Sequence, residues 1–274
     1  MLTLKKICAF MAIASCATIF SSSNEEVMLD TNADRNSITL KKSGSNEIST
    51  TENKIIGRDC PYLIIGRTEK EDQVIVTTAA CSLLAFNLVN AFYSLTPVEF
   101  AAGFLGGYLT ADLISGAFHM TLDNLDVNFG PKTLRSISKC FQDHHLEPWR
   151  MKIDSFWFQN IELYTAGLAT FASSWVMSCY GYDLTAYLLT TTMGWNMLSQ
   201  LAHACAHGKF KGNKVIAFLQ NNGILLSTNH HNKHHKPPYD KNFCILAGHM
   251  EPMAQCIYST AKGAVNLWKR FLGK

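Results

Sequence analysis

The sequence predicts an all-α membrane protein of about four transmembrane helices, with a histidine-rich two-metal site on the cytosolic face of the bundle. Three observations predict it. Hydrophobic residues make up 47% of the 274 residues and charged residues only 16%, against about 25% charge in a soluble globule. The apolar residues are also gathered into four long runs, and the basic residues collect in alternate connections between them. Finally, nine of the ten histidines fall into four tight groups, three of which flank or end apolar runs.

Taken from the N-terminus, residues 1–22 open with Lys5 and Lys6 and stay apolar from Ile7 to Phe20. That stretch is short for a bilayer crossing and reads as a signal-like or targeting segment. Residues 23–72 are rich in Ser, Asn, Thr, Lys and Glu and poor in aromatics, the composition of a disordered polar tail. The membrane domain is expected over 73–252, followed by a basic amphipathic segment over 253–274 that lies on the membrane surface. Within the domain, residues 74–95 have the length needed to span a bilayer, and Thr96-Pro97 turns the chain into a second run over 98–120. Its Gly and Ala residues at near-helical spacing let another helix approach closely. A polar stretch, 121–160, precedes a third run at 161–180 and a fourth at 184–206. Only Gly181, Tyr182 and Asp183 separate these two, so they form an antiparallel pair.

Charge sets the orientation. The connections at 95–97 and 181–183 hold no Lys or Arg, whereas 121–160 carries Lys132, Arg135, Lys139, Arg150 and Lys152. The segment after 206 adds Lys209, Lys211, Lys214, Lys233, Lys236 and Lys241. Basic loops stay cytoplasmic, which puts every histidine group on that side. An exported 1–22 segment would start the first span from the opposite side, and a cleaved or merely membrane-touching segment removes the conflict. With a net charge of +3 and no aromatic-studded basic patch, a nucleic-acid partner is excluded. The nine cysteines are odd in number and form no CxxC pair, so they read as small hydrophobic residues.

Imidazole is the commonest neutral metal ligand, and the spacing of the histidines allows them to act together. His203 and His207 are four apart and share one helix face. His230 with His234, and His231 with His235, repeat that step and offer one pair to each of two metals. His119 and Asp123 do the same at the end of the second run. His144 and His145 are adjacent, cannot share a face, and so serve different ions or a helix end. Asp112, within the second run, either orients a liganding imidazole or makes a helix-packing hydrogen bond. His249 stands alone and reads as a structural residue. Imidazole suits iron, copper, nickel and zinc, and the thiolates of a structural zinc site are missing.

The order D-x-x-S-G-x-x-H (112–119), F-x-x-H-H (141–145), H-x-x-x-H (203–207) and H-H-x-x-H-H (230–235), followed by P-P-Y (237–239) and F-C-I (243–245), resembles the lipid desaturase family of plasmanylethanolamine desaturase. Bacterial carotenogenesis-regulator-type and plant plastid phosphatidylglycerol desaturases are further branches, and the segments from His144 and from His234 look nearer to those two than to the animal one. The resemblance covers about residues 75–252. It implies a membrane-embedded non-haem di-iron desaturase that uses O2 as co-substrate and takes electrons from a donor such as cytochrome b5 or ferredoxin. It carries over His119, Asp123, His144, His145, His203, His207, His230, His231, His234 and His235 as metal ligands.

The expected substrate is a phospholipid, first the 1-O-alkyl chain of plasmanylethanolamine, which would become the vinyl ether of a plasmalogen. Alternatives are a glycerolipid acyl chain such as phosphatidylglycerol palmitate, or fatty-acyl hydroxylation. From a different class, a membrane metal transporter or binding protein would carry ligands near mid-membrane, whereas these lie at the ends of the runs. A zinc protease is disfavoured because no HExxH occurs. The expected location is the endoplasmic reticulum, a plastid or a bacterial inner membrane.

Overall fold

The computed structural model describes residues 70–126, 128, 130–148, 151 and 161–271. The expectations for 1–22 and for most of the 23–72 tail lie outside the described residues. Every regular element among the described residues is a helix. In chain order these are α1 (Lys70–Ser94), α2 (Pro97–Asn124), α3 (Lys132–Leu146), α4 (Ile161–Cys179), α5 (Asp183–Ala206), α6 (Lys214–Asn221), α7 (Thr228–His234) and α8 (Glu251–Phe271). Helices α1, α2, α4 and α5 correspond to the four apolar runs.

Local chemistry fixes the joints between them. Thr96 caps α2 in a capping box: its hydroxyl accepts from Glu99 N while Glu99 accepts from Thr96 N, and Pro97 occupies the first turn. Proline suits that position because its fixed φ is helical and the missing N–H has no partner there anyway. Asn213 accepts from Val215 N and Ile216 N to start α6, and Ser227 accepts from His230 N to start α7.

Helix α5 is the centre of the bundle and packs along α2, α4 and α1. Its contact with α2 depends on a small residue: a Cβ built on Gly107 would lie 2.1 Å from Thr191 Oγ1, so only glycine admits the approach. The space left by this small residue of α2 is thus taken up by helix packing. Between α1 and α4, Asn87 Nδ2 donates to Phe171 O at 2.8 Å and Asn90 Nδ2 to Ser178 Oγ at 2.7 Å. One apolar cluster (Ala80, Tyr164, Phe171, Met197) joins α1, α4 and α5. A second (Ala111, Ala202, Ala206, Leu225, Leu226, Ile245, Leu246) joins α2 and α5 to the segments before α7 and α8, directly beneath the histidines.

Among the described residues one helix, Val74–Ser94, is long and apolar enough to cross a membrane by length and composition. The other three runs form helices whose apolar content is diluted by residues such as Thr110, Asp112, Ser173, Ser174, Thr190, Thr191 and Asn196. One cysteine departs from the small-hydrophobe reading. Cys140, half-buried on α3, is disulfide-bonded, whereas Cys81, Cys179, Cys205, Cys244 and Cys256 are free thiols. Sequence spacing could not reveal this, because neither a CxxC pair nor a regular framework marks the position.

Candidate metal centre

Each histidine group sits at a helix end. His119 and Asp123 occupy the last two turns of α2, His144 and His145 the end of α3, and His203 the last turn of α5 with His207 just beyond it. Helix α7 presents His231 and His234 inward, with His235 following. These ends meet and form two adjacent clusters. His144, His203, His207, His231 and His235 make one, and His119, Asp123, His145 and His234 the other. Within each, one potential ligand atom per residue lies within 4.8 Å of all the others. The clusters touch through the rings of His144 and His145, 4.5 Å apart, and of His119 and His203, 5.5 Å apart.

The five-histidine cluster converges on ring nitrogens. His231 Nε2 lies 2.8 Å from His203 Nε2, 2.9 Å from His207 Nε2 and 3.1 Å from His235 Nε2. A neutral imidazole nitrogen has either one proton or one lone pair, so it cannot form three such hydrogen bonds. A cation receiving all the lone pairs satisfies the arrangement. His144 contributes from the side: its Nδ1 donates to Phe141 O, and its buried Nε2 has no hydrogen-bond partner.

In the second cluster, the carboxylate of Asp123 faces three imidazoles. His234 Nε2 is 3.2 Å and His119 Nε2 3.4 Å from Oδ2, and His145 Nε2 is 3.6 Å from Oδ1. The Asp123 side chain is 3% exposed, yet neither of its oxygens, nor His119 Nε2, has a hydrogen-bond partner. Buried polar atoms are nearly always satisfied, and a metal ion among these four would satisfy them. Both clusters therefore fit metal binding on their own atoms.

Protonation favours the same conclusion. Burial, reinforced by neighbouring imidazoles, holds His144 and His231 well below the ordinary histidine range. Burial and the facing His234 push His145 down to about 3 and His235 down to about 4. These rings are neutral at physiological pH, the form that ligates. Five nitrogens in one cluster, and three nitrogens with one carboxylate in the other, are donor sets that suit iron, copper, nickel or zinc.

The two buried histidines at the bottom of the second cluster are oriented by backbone. His119 Nδ1 donates to Phe243 O at 3.1 Å and His234 Nδ1 to Lys241 O at 2.8 Å, which leaves each Nε2 to face Asp123. Tyr239 stacks on the His145 ring with centroids 4.6 Å apart. Sequence reasoning missed these three contributors. Tyr239 and Phe243 sit in the P-P-Y and F-C-I steps of the motif order, which is the only signal that marked them.

Nine of the ten expected ligands are brought together, and His230 is not. The inward face of α7 centres on His231, and His230 is about 100° from it around the helix. Its ring lies instead against Gly248, where a Cβ would be 2.8 Å from His230 Nε2. Asp112 does not touch a liganding imidazole. It accepts from Ala247 N, Gly248 N and Met250 N at 2.9–3.1 Å. Asp143 pairs with Lys139 on the α3 surface. His249 donates to Gly223 O, away from both clusters.

A family model described as the lipid desaturase domain matches residues 108–262, more than half of the chain and all four histidine groups. The chain is 32% identical over 166 residues to fatty acid desaturase 4, chloroplastic, of Arabidopsis thaliana, covering 60% of this chain and 50% of that protein. It is 28% identical over 169 residues to plasmanylethanolamine desaturase of Myxococcus xanthus, covering 61% and 59%. With plasmanylethanolamine desaturase 1 of Mus musculus the identity is 24% over 186 residues, covering 61% and 65%. The chain thus spans about half to two-thirds of the length of the curated relatives it matches. No solved structure matches it. With every histidine cluster inside the matched region, the chain belongs to the lipid desaturase family.

Proposed function

We propose that this protein is a membrane-embedded di-iron lipid desaturase that places a double bond in the hydrocarbon chain of a phospholipid. The observation that carries the reading is the pair of adjacent ligand clusters, in which Asp123 and the Nε2 atoms of His119 and His144 lack hydrogen-bond partners and the other ring nitrogens crowd on one another. His144, His203, His207, His231 and His235 would hold one iron, and His119, Asp123, His145 and His234 the other. Two bound irons would supply the O2-dependent oxidation. In that reaction two hydrogens leave neighbouring carbons and O2 becomes two waters, with two electrons supplied by a donor such as cytochrome b5 or ferredoxin and two protons taken from water.

The chain's own residues do the rest. His119, His231 and His234 are fully buried and His203 is 3% exposed, so water is excluded from the inner side of both clusters. A dry site keeps a strong oxidant from side reactions. The Lys241 and Phe243 carbonyls hold the tautomers of His234 and His119, and Ser227 starts the short helix that carries His231 and His234 and leads into His235.

A four-span membrane arrangement is part of the proposal. The outward faces of α1, α2, α4 and α5 expose Ile75, Phe92, Phe104, Leu105, Trp175, Val176 and Leu184, large apolar side chains of the kind that would meet lipid. The clusters lie at helix ends rather than mid-bundle, which suits a substrate chain reaching up from the bilayer better than ion transport.

The 1-O-alkyl chain of plasmanylethanolamine is the leading substrate. A glycerolipid acyl chain is the second reading, and the higher identity to the Arabidopsis relative favours it. Lipid profiling of plasmalogen-deficient cells, with and without this protein, decides between them. Vinyl-ether lipids establish the first and a new acyl double bond without them the second. A hydroxylated chain would make the protein a hydroxylase, and no lipid change with altered cell metal content would favour transport.

A further inference from the structure

Resting on the di-metal reading, we propose that Asp112 and Glu251 are positioning residues. Together they clamp the 239–250 loop so that its Lys241 and Phe243 carbonyls orient the imidazoles of the Asp123-containing cluster. Neither residue faces a ligand directly. Each acts through backbone.

The loop has no regular structure to hold it. It carries two non-glycine residues in the left-handed region, Tyr239 (φ 61°) and Asn242 (φ 61°), a conformation that must be stabilised from outside. The stabilising contacts come from two sides. From α2, the fully buried Asp112 takes Ala247 N, Gly248 N and Met250 N on its two oxygens. One turn further along α2, Ser115 Oγ accepts from Ile245 N at 3.2 Å. At the next residue, a Cβ on Gly116 would lie 2.7 Å from Cys244 Sγ, so the loop rests on the bare backbone there. From the start of α8, Glu251 accepts from Asn242 N and from Cys244 N, the latter at 3.0 Å.

The two carbonyls that orient ligands fall within this grip. Asn242 N belongs to the same peptide as Lys241 O, and Cys244 N to the same peptide as Phe243 O, so Glu251 holds the N–H side of the very peptides whose carbonyls receive His234 and His119. Hydrogen bonds from backbone amides to a carboxylate are charge-assisted and stronger than neutral ones. On α2, Asp112, Ser115, His119 and Asp123 follow at intervals of three and four, so a single helix face carries both the anchor of the loop and two of the ligands. The five-histidine cluster has no such dependence. His144, His203 and His207 come from α3 and α5, and only His231 and His235 share α7 with His234. Besides the bond from His234 Nδ1 to Lys241 O, the loop reaches α7 through Asn242 Nδ2, which donates to His230 O at 3.0 Å.

The test uses the full chain in lipid nanodiscs, stripped of metal and reloaded anaerobically with isotopically enriched ferrous iron. Mössbauer spectra distinguish an all-nitrogen shell from one with a carboxylate. In Asp112→Ala and in Glu251→Ala, iron in the carboxylate shell is expected to bind about 10–100-fold more weakly, as for loss of other outer partners of metal ligands, while the all-nitrogen signal keeps its wild-type midpoint. Asp112→Asn, which retains an acceptor for two of the three amides, is expected to fall between. Equal weakening of both shells, or wild-type binding in both alanine variants, overturns the clamp. Should Asp112→Ala fail to fold by circular dichroism, Glu251→Ala carries the same two outcomes. A wild-type chain that binds no iron would instead sink the di-metal reading on which the clamp rests.

Discussion

The two ligand clusters are built from the same residue type but held in different ways. The five-histidine cluster takes its donors from the ends of three helices, and its nitrogens crowd together to 2.8–3.1 Å. Its precision comes from helix packing around α5. The other cluster contains the only carboxylate among the ligands and relies on a loop to set two of its rings. A neutral shell leaves the full charge of a buried cation uncompensated, whereas Asp123 offsets one unit of it. The pair therefore offers two chemically unequal metal positions side by side, one set by helix ends and one by helix end plus clamped loop.

Removing a ligand from either cluster is the strongest way to break this comparison. His203→Ala and His234→Ala are each expected to lower lipid product by more than about 100-fold, beyond what an outer partner costs, with the protein still inserted. Each should lose the iron signal of its own shell first. Full activity in both variants would remove these residues from the site. Asp123→Asn comes next. It keeps the shape but not the charge, and about tenfold or greater weakening is expected for the carboxylate shell alone, read by iron titration. Comparable weakening of both shells would show that the clusters act as one.

Acid has a smaller effect and acts on both clusters, since His145 belongs to one and His235 to the other. Their values in the fold, about 3 and about 4, lie below the ordinary 6.5. The unfolded chain then binds more protons than the fold, so stability is full above about pH 6.5 and falls as the pH drops toward those values. His145 is faced by His234, His235 and His207, and His235 by His234. Tyr239, stacked on His145, is uncharged in this range. Thermal melting of the metal-free chain should move to lower temperature between pH 7 and pH 5, and a flat profile would contradict the buried neutral rings. The smallest effect is predicted for His230→Ala. With its ring against Gly248 and outside both clusters, iron content should change by less than about twofold, within the range of substitutions that touch no ligand.

Much of the centre was legible because helical spacing is rigid. The i,i+4 steps of His119 with Asp123, His203 with His207 and His231 with His235 each became a pair within one cluster. The adjacency of His144 and His145 required opposite directions, and they enter different clusters. His230 shows the limit of the same rule. The doubled H-H-x-x-H-H pattern offers two equivalent pairs, and only packing decides that the inward face centres on His231. The role of Asp112 was legible as a choice between two readings, and the structure adds a third, a grip on distant backbone. The orienting carbonyls of Lys241 and Phe243 could not be found from side-chain identity at all, since every residue carries one. Of the four apolar runs, α1 declares itself by composition. The other three trade apolar residues for the Thr, Ser, Asn and Gly that bring helices together.

Iron content measured on the purified full chain, reloaded anaerobically with zinc offered in competition, bears most directly on the centre. Two irons per chain, distributed between one all-nitrogen and one carboxylate-containing environment, are predicted. A single zinc, or no transition metal bound at all, would contradict the account.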